Sequence, residues 1–152
     1  MADLSSEKIP AAALALGLAG LLPFAGAALS VWFGIPFGPA AGHSLGVVYG
    51  AVILSFLGGV RWGLAIGPYG RRRQSMDFTL GVLGSLAGLA AAFLQPIAAL
   101  TLLITGFLMQ ALWDVTSVES GRLPGWYGKL RMILTAGAVV SLVAVLAAKT
   151  LT

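Results

Sequence analysis

Residues 78–113 read FTLGVLGSLAGLAAAFLQPIAALTLLITGFLMQALW, and whether they form one helix or two decides the fold. A single helix would run about 54 Å at 1.5 Å per residue. The hydrocarbon core of a bilayer is only about 30 Å thick. Pro96 disfavours helix at the residue before it, so the chain is expected to reverse at Gln95–Pro96 and cross the membrane twice. No charged residue interrupts either half.

The rest of the chain has the same character. Hydrophobic residues make up 59% of the 152 residues and charged residues 9%. Soluble domains carry about 25% charged residues, so an ordinary wet surface is excluded. Residues 1–152 read as a single integral membrane domain, all-α, with five transmembrane helices at about 10–32, 44–66, 78–94, 97–117 and 130–148. With no cysteine, disulfides, thiolate metal sites and cysteine nucleophiles drop out. Ala25 and Ala27 form an A-x-A pattern like that of a signal peptidase site. However, Asp3 and Glu7 stand against Lys8 where a signal needs net positive charge, and the apolar run continues to Phe33. The segment is therefore read as an uncleaved first span, with Pro10 as a first helical residue. Ser75 or Asp77 is available to cap the third span.

Charge sets the orientation. The second loop holds Arg71, Arg72 and Arg73, and the fourth holds Arg122, Lys129 and Arg131. The first loop and the turn at 95–96 hold no Lys or Arg. The positive-inside rule puts the N-terminus and the basic loops in the cytoplasm and the C-terminus outside. The expected location is a bacterial inner membrane. The net charge of +4 is explained by this asymmetry, and nucleic acid is not an expected partner. Trp32, Phe33 and Phe37 suit the outer interface, and Trp126, Tyr127 and Arg131 the inner one.

Membrane helices associate through close packing that small residues permit. Gly46 with Gly50, and Gly59 with Gly63, have G-x-x-x-G spacing on the second span, and Gly81, Gly84 and Gly88 form a stripe on the third. Packing within the bundle is the ordinary use of such stripes. An interface with another membrane protein, or with a second copy, is the sharper one.

Two charges lie inside apolar runs. Arg61 sits about five residues from the cytoplasmic end of the second span, roughly 7–8 Å deep, and Asp114 is similarly placed on the fourth. Insertion scales charge about 2.5–3.5 kcal/mol for an arginine at mid-span, so the two are expected to pair. Gln110, one turn before Asp114, can donate to the carboxylate or accept from the guanidinium. Trp62 and Trp113 flank the pair, each with an indole donor. The structural reading of this cluster is a staple fixing helix register; the functional one is a binding site. No catalytic residue is assigned, because one arginine and one carboxylate supply neither a nucleophile nor a base near neutral pH. His43 lies in the first loop, on the opposite side. No metal or other cofactor is expected, since the ligand sets for heme, zinc or copper are lacking.

YGAVILSFLGGVRWG (49–63), LMQALWD (108–114) and LPGWYGKLR (123–131) together resemble the uncharacterised bacterial and mitochondrial family that includes transmembrane protein 69. The resemblance runs from the second span to the start of the fifth. It implies a small polytopic membrane protein without an assigned activity, and singles out Ser55, Gly58, Gly59, Trp62, Gly63, Asp114, Trp126, Tyr127 and Arg131. The five-span translocator proteins are similar in architecture, but their first-loop signature is not matched by VWFGIPFGPAAGHS (31–44).

The functional expectation is an accessory or assembly protein of a larger membrane complex, not an enzyme. Its alternative is binding or translocation of a small molecule, lipid or ion at Arg61, Asp114 and Gln110. The topology is checked by reporter fusions. Fusions after Arg73 and Arg122 should report cytoplasm and a fusion after Thr152 the outside; a cytoplasmic C-terminus would remove the five-span reading.

Overall fold

Gln95 is extended, with φ −58° and ψ 147°, and separates two antiparallel helices. The reversal expected at Pro96 is present. A computed structural model, describing residues 8–67 and 74–151, shows an all-helical chain with no strand among the described residues. In order the helices are α1 (Ala11–Ala19), α2 (Leu22–Phe33), α3 (Pro39–Ile66), α4 (Gln74–Phe93), α5 (Pro96–Glu119) and α6 (Gly125–Leu151). α1 and α2 together make one stretch of spanning length, and α3 to α6 make four more. The protein is a multi-pass membrane protein. Its large exposed side chains fit that setting: Phe56, Ile66 and Phe93 are more than half exposed, as lipid-facing residues would be.

The first span differs from the single helix expected over 10–32. It breaks at Gly20–Leu21. Pro23 is the cause: it has no N–H to donate and its ring crowds the carbonyl four residues back, at Ala19. A break inside a membrane is tolerated when the freed backbone groups find partners in the protein. Tyr49 of α3 supplies one, donating its hydroxyl to the Gly20 carbonyl at 2.9 Å. Phe24, just past the break, packs edge-on against Tyr49 and Phe107, anchoring the core.

Three helices begin earlier than hydropathy suggested. α3 starts at Pro39, so His43 is helical and not in a loop. It lies 18 residues before Arg61, roughly 27 Å along the axis. α4 starts at Gln74 and places Asp77 in its first turn. α6 starts at Gly125, which brings Trp126, Tyr127 and Arg131 into the helix. Arg71, Arg72 and Arg73 of the basic loop, together with Asp3 and Glu7, lie outside the described residues.

The closest seam joins α3 to α4, backbone to backbone. A Cβ placed on Gly58 would collide with the Gly81 carbonyl oxygen. One on Gly84 would lie 2.8 Å from the Leu54 oxygen, and one on Gly88 2.9 Å from the Ala51 oxygen. The stripe of the third span is thus spent inside the molecule. Gly46 and Gly50 likewise face Val145 and Leu103 of the same chain. Gly59 and Gly63 differ, with open space beyond both.

Gly84→Leu or Gly88→Leu should force the seam apart and cost about 1–3 kcal/mol or more, the usual scale of overpacking. Val82→Leu, at a 40% exposed position of α4, should stay within about 0.5 kcal/mol of the parent. Thermal stability in one detergent compares them; equal losses would place the seam elsewhere.

Candidate functional site

The polar side chains gather at one end of the bundle. Arg61 enters from α3, Gln110 and Asp114 from α5, and Arg131 from α6, and all four are buried. Gln110 and Asp114 are four residues apart, so they share a face of α5. Arg131 lies six residues inside the start of α6, roughly 9 Å deep, close to the depth of Asp114 and Arg61 from their own helix ends.

The expected pairing of Arg61 with Asp114 is not what forms. Asp114 accepts from Arg131 Nε at 2.6 Å. Arg61 donates its Nε to the Gln110 side-chain oxygen, and reaches the Gln110 backbone oxygen with Nη2 at 3.5 Å. Its guanidinium lies 5.0 Å from the centre of the Trp113 ring, within range of cation–π attraction. The cluster of Arg61, Gln110, Asp114 and Trp113 therefore exists, with Arg131 added and the ion pair reassigned. The physical reason is azimuth. Two arginines sit at similar depth, and the face of α5 that carries Asp114 is turned toward α6.

Trp62 does not join the cluster. Its indole donates to the Phe78 carbonyl at 3.1 Å and its ring stacks edge-on with Phe78, tying α3 to α4. Ser55 lies on the same seam, where its Oγ would sit 3.2 Å from a Cβ on Gly88. Trp126 and Tyr127 are half-buried and meet edge to face. Arg131, placed by sequence at the interface, is 6% exposed. A further ion pair was not foreseen: Asp77, read as a cap, is buried and accepts from Arg122 in the α5–α6 turn. An acidic residue in a first helical turn is so common that its reach toward a later loop carries no local signal.

The ledger of charge is uneven. Among the described residues, Arg131 has Asp114 and Arg122 has Asp77, while Arg61 has no carboxylate within 4.0 Å. Its Nη1 is buried and has no hydrogen-bond partner among them. Arg61, Gln110 and Trp113 line a cavity of about 240 Å³ between α3, α4 and α5, with Leu54, Leu83 and Met109 as apolar walls. A cation with a free donor, an amide and an aromatic face can hold an anionic group.

Residues 9–147 match the family described as Protein of unknown function (DUF3429). Transmembrane protein 69 of Xenopus tropicalis is 41% identical over 140 residues, covering 90% of this chain and 54% of its own length. The chain thus spans about half the length of that relative. No solved structure matches.

A double-mutant cycle tests the reassigned pair. Asp114→Leu or Arg131→Leu alone should cost about 3–5 kcal/mol by leaving a buried charge unpaired, and the double change should recover much of it. The Arg61–Asp114 cycle should give a smaller coupling. Coupling as large there as between Arg131 and Asp114 would restore the direct Arg61–Asp114 pair.

Proposed function

This chain belongs to the DUF3429 family of proteins of unknown function, and we propose that its bundle binds an acidic amphiphile within the membrane, with Arg61 as the anchoring charge. The observation that carries this reading is Arg61 itself: 3% exposed, with no carboxylate against it among the described residues and its Nη1 unpartnered among them. An ionised side chain inside a span is expensive and marks a functional site by default. A phosphate or carboxylate headgroup in the cavity would neutralise Arg61 and accept from Nη1. Gln110 and Trp113 would orient the guanidinium, and the apolar walls would take the first carbons of the chain. The reading has no chemical step, so the protein acts as a binder and not an enzyme. By the positive-inside rule this polar end faces the cytoplasm of a bacterial inner membrane, with the C-terminus outside.

A second reading, that the protein docks on a larger membrane complex as an accessory or assembly factor, is favoured by a separate observation. Gly59 and Gly63 leave open space on α3, beside the exposed Phe56, Trp62 and Ile66. A partner's helix could approach closely there. On this reading Gly59→Leu and Gly63→Leu leave the monomer's stability intact and abolish co-purification of a stoichiometric partner.

Thermal shift in detergent tests the first reading. Dioleoyl phosphatidylglycerol should raise Tm of the parent by a few degrees, by mass action on the folded state, and dioleoyl phosphatidylcholine should not. Arg61→Gln should retain the parent's lipid-free stability or exceed it, since an unpaired buried charge is removed, yet lose the response. Arg61→Lys should keep part of it. An unchanged response in Arg61→Gln would defeat the proposal.

A further inference from the structure

A larger cavity lies on the other side of α3. It measures about 340 Å³ and is walled by α1, α2, α3 and α6, with Phe107 of α5 at its base. That volume falls within the range of roughly 300–1,000 Å³ typical of small-molecule sites. The break in the first span shapes it: Gly17, Gly20 and Leu21 all line the wall. Leu16 and Phe56, also on the wall, are 74% and 66% exposed. The mouth therefore opens sideways between α1 and α3, where lipid chains lie.

The wall is apolar except along one face of α6, where Tyr127, Arg131 and Thr135 follow one another at four-residue spacing. Arg131 and Thr135 both line the cavity, each is 6% exposed, and Arg131 Nη2 and Thr135 Oγ1 are buried without a hydrogen-bond partner among the described residues. They are four residues apart on α6, so their side chains share a face. Among the described residues, Thr135 carries the one hydroxyl that is buried without a hydrogen-bond partner. Thr79, Thr101 and Ser141 each donate to the carbonyl four residues back in their own helix, the usual resting place for a helical hydroxyl in an apolar setting. Thr135 does not, and a buried donor without an acceptor is costly.

Charge decides what such a site accepts. Arg131 is already neutralised by Asp114 at 2.6 Å. A second anion at Arg131 would be repelled by that carboxylate. An uncharged acceptor adds no charge and, once the two side chains turn toward the cavity, can take both Nη2 of Arg131 and the Thr135 hydroxyl. We infer that the cavity between the broken first span, α3 and α6 binds an uncharged lipid with a carbonyl oxygen at its polar end, read by Thr135 and Arg131. The site is separate from the Arg61 cavity, shares none of its polar residues, and selects an uncharged ligand where the other selects an anion.

The test is photo-crosslinking of the full-length protein with a diazirine-bearing palmitic acid methyl ester and, in parallel, the corresponding free acid. Labelling of 130–138 is normalised to the lipid-facing Val140, which is 69% exposed. The ester should label 130–138 in preference to the acid. Thr135→Val should cut that labelling about fivefold, the worth of one net hydrogen bond, without lowering Tm, because an orphaned hydroxyl is removed. Thr135→Ser, which keeps the hydroxyl, should retain the labelling. Arg61→Gln should leave it untouched, so this site can stand where the acidic-lipid reading falls, and the reverse. A diacylglycerol and a decyl-substituted benzoquinone are the competitors. Displacement by either supports a carbonyl-bearing ligand and tells ester from quinone. Undiminished labelling in Thr135→Val, a preference for the free acid, or displacement by neither competitor would overturn the inference.

Discussion

Asp114 has to find its cation inside the protein. It is 5% exposed on a helix apolar enough to cross a membrane, where no bulk water can solvate a carboxylate. Arg131 answers at 2.6 Å, and much of the polar end follows from that choice. The pair holds α6 against α5. Because Arg131 takes the carboxylate, Arg61 is left to the neutral oxygens of Gln110 and the face of Trp113. The group of Arg61, Gln110, Asp114 and Arg131 thereby contains two cations and one anion. A surplus charge inside a span is costly unless something balances it.

The glycine seam and the polar cluster depend on each other. Gly58, Gly81, Gly84 and Gly88 let the α3 and α4 backbones touch, a gain in packing that lipid itself cannot supply. Gly84 has a second neighbour. A Cβ there would lie 3.4 Å from Gln110 Nε2, so the bare backbone of α4 also gives the amide its place. With its NH₂ end against Gly84, Gln110 turns its oxygen to Arg61. A bulky residue at position 84 would disturb both the helix spacing and the orientation of the acceptor that holds Arg61.

Much of this was legible in the sequence, for identifiable reasons. Span length is a one-dimensional quantity, and Gln95–Pro96 divides residues 78–113 into two spans by backbone sterics alone. Depth is also one-dimensional, so Arg61, Gln110 and Asp114 could be assigned to one end. Azimuth is not. With Arg61 and Arg131 at similar depth, no spacing rule tells which of them faces Asp114. Hydropathy starts the last span near 130 and so places Arg131 at the interface, whereas the helix starts at Gly125 with polar and aromatic residues that hydropathy discounts. The break in the first span was different. Pro23 was there to be read, twelve residues into an apolar run, but the run's continuous hydropathy masked a residue whose effect is on backbone hydrogen bonding.

That break gives the bundle two dissimilar sides. α3 is the wall common to both cavities. Leu54 and Arg61, seven residues apart and so on one helical face, line the cavity toward α4 and α5. Ile53, Phe56, Leu57 and Val60 line the one toward α1, α2 and α6. The break at Gly20 would leave a carbonyl stranded in hydrocarbon if Tyr49 did not donate to it from the same α3. One helix thus supports the bent first span, separates two spaces, and carries the surplus charge toward only one of them. The single intramembrane carboxylate of α5 sets the difference. Asp114 pairs directly with Arg131 and not with Arg61, so a guanidinium without a carboxylate in contact lines the cavity on one side of α3 and a paired one lines the cavity on the other, and the two proposed ligands rest on that difference.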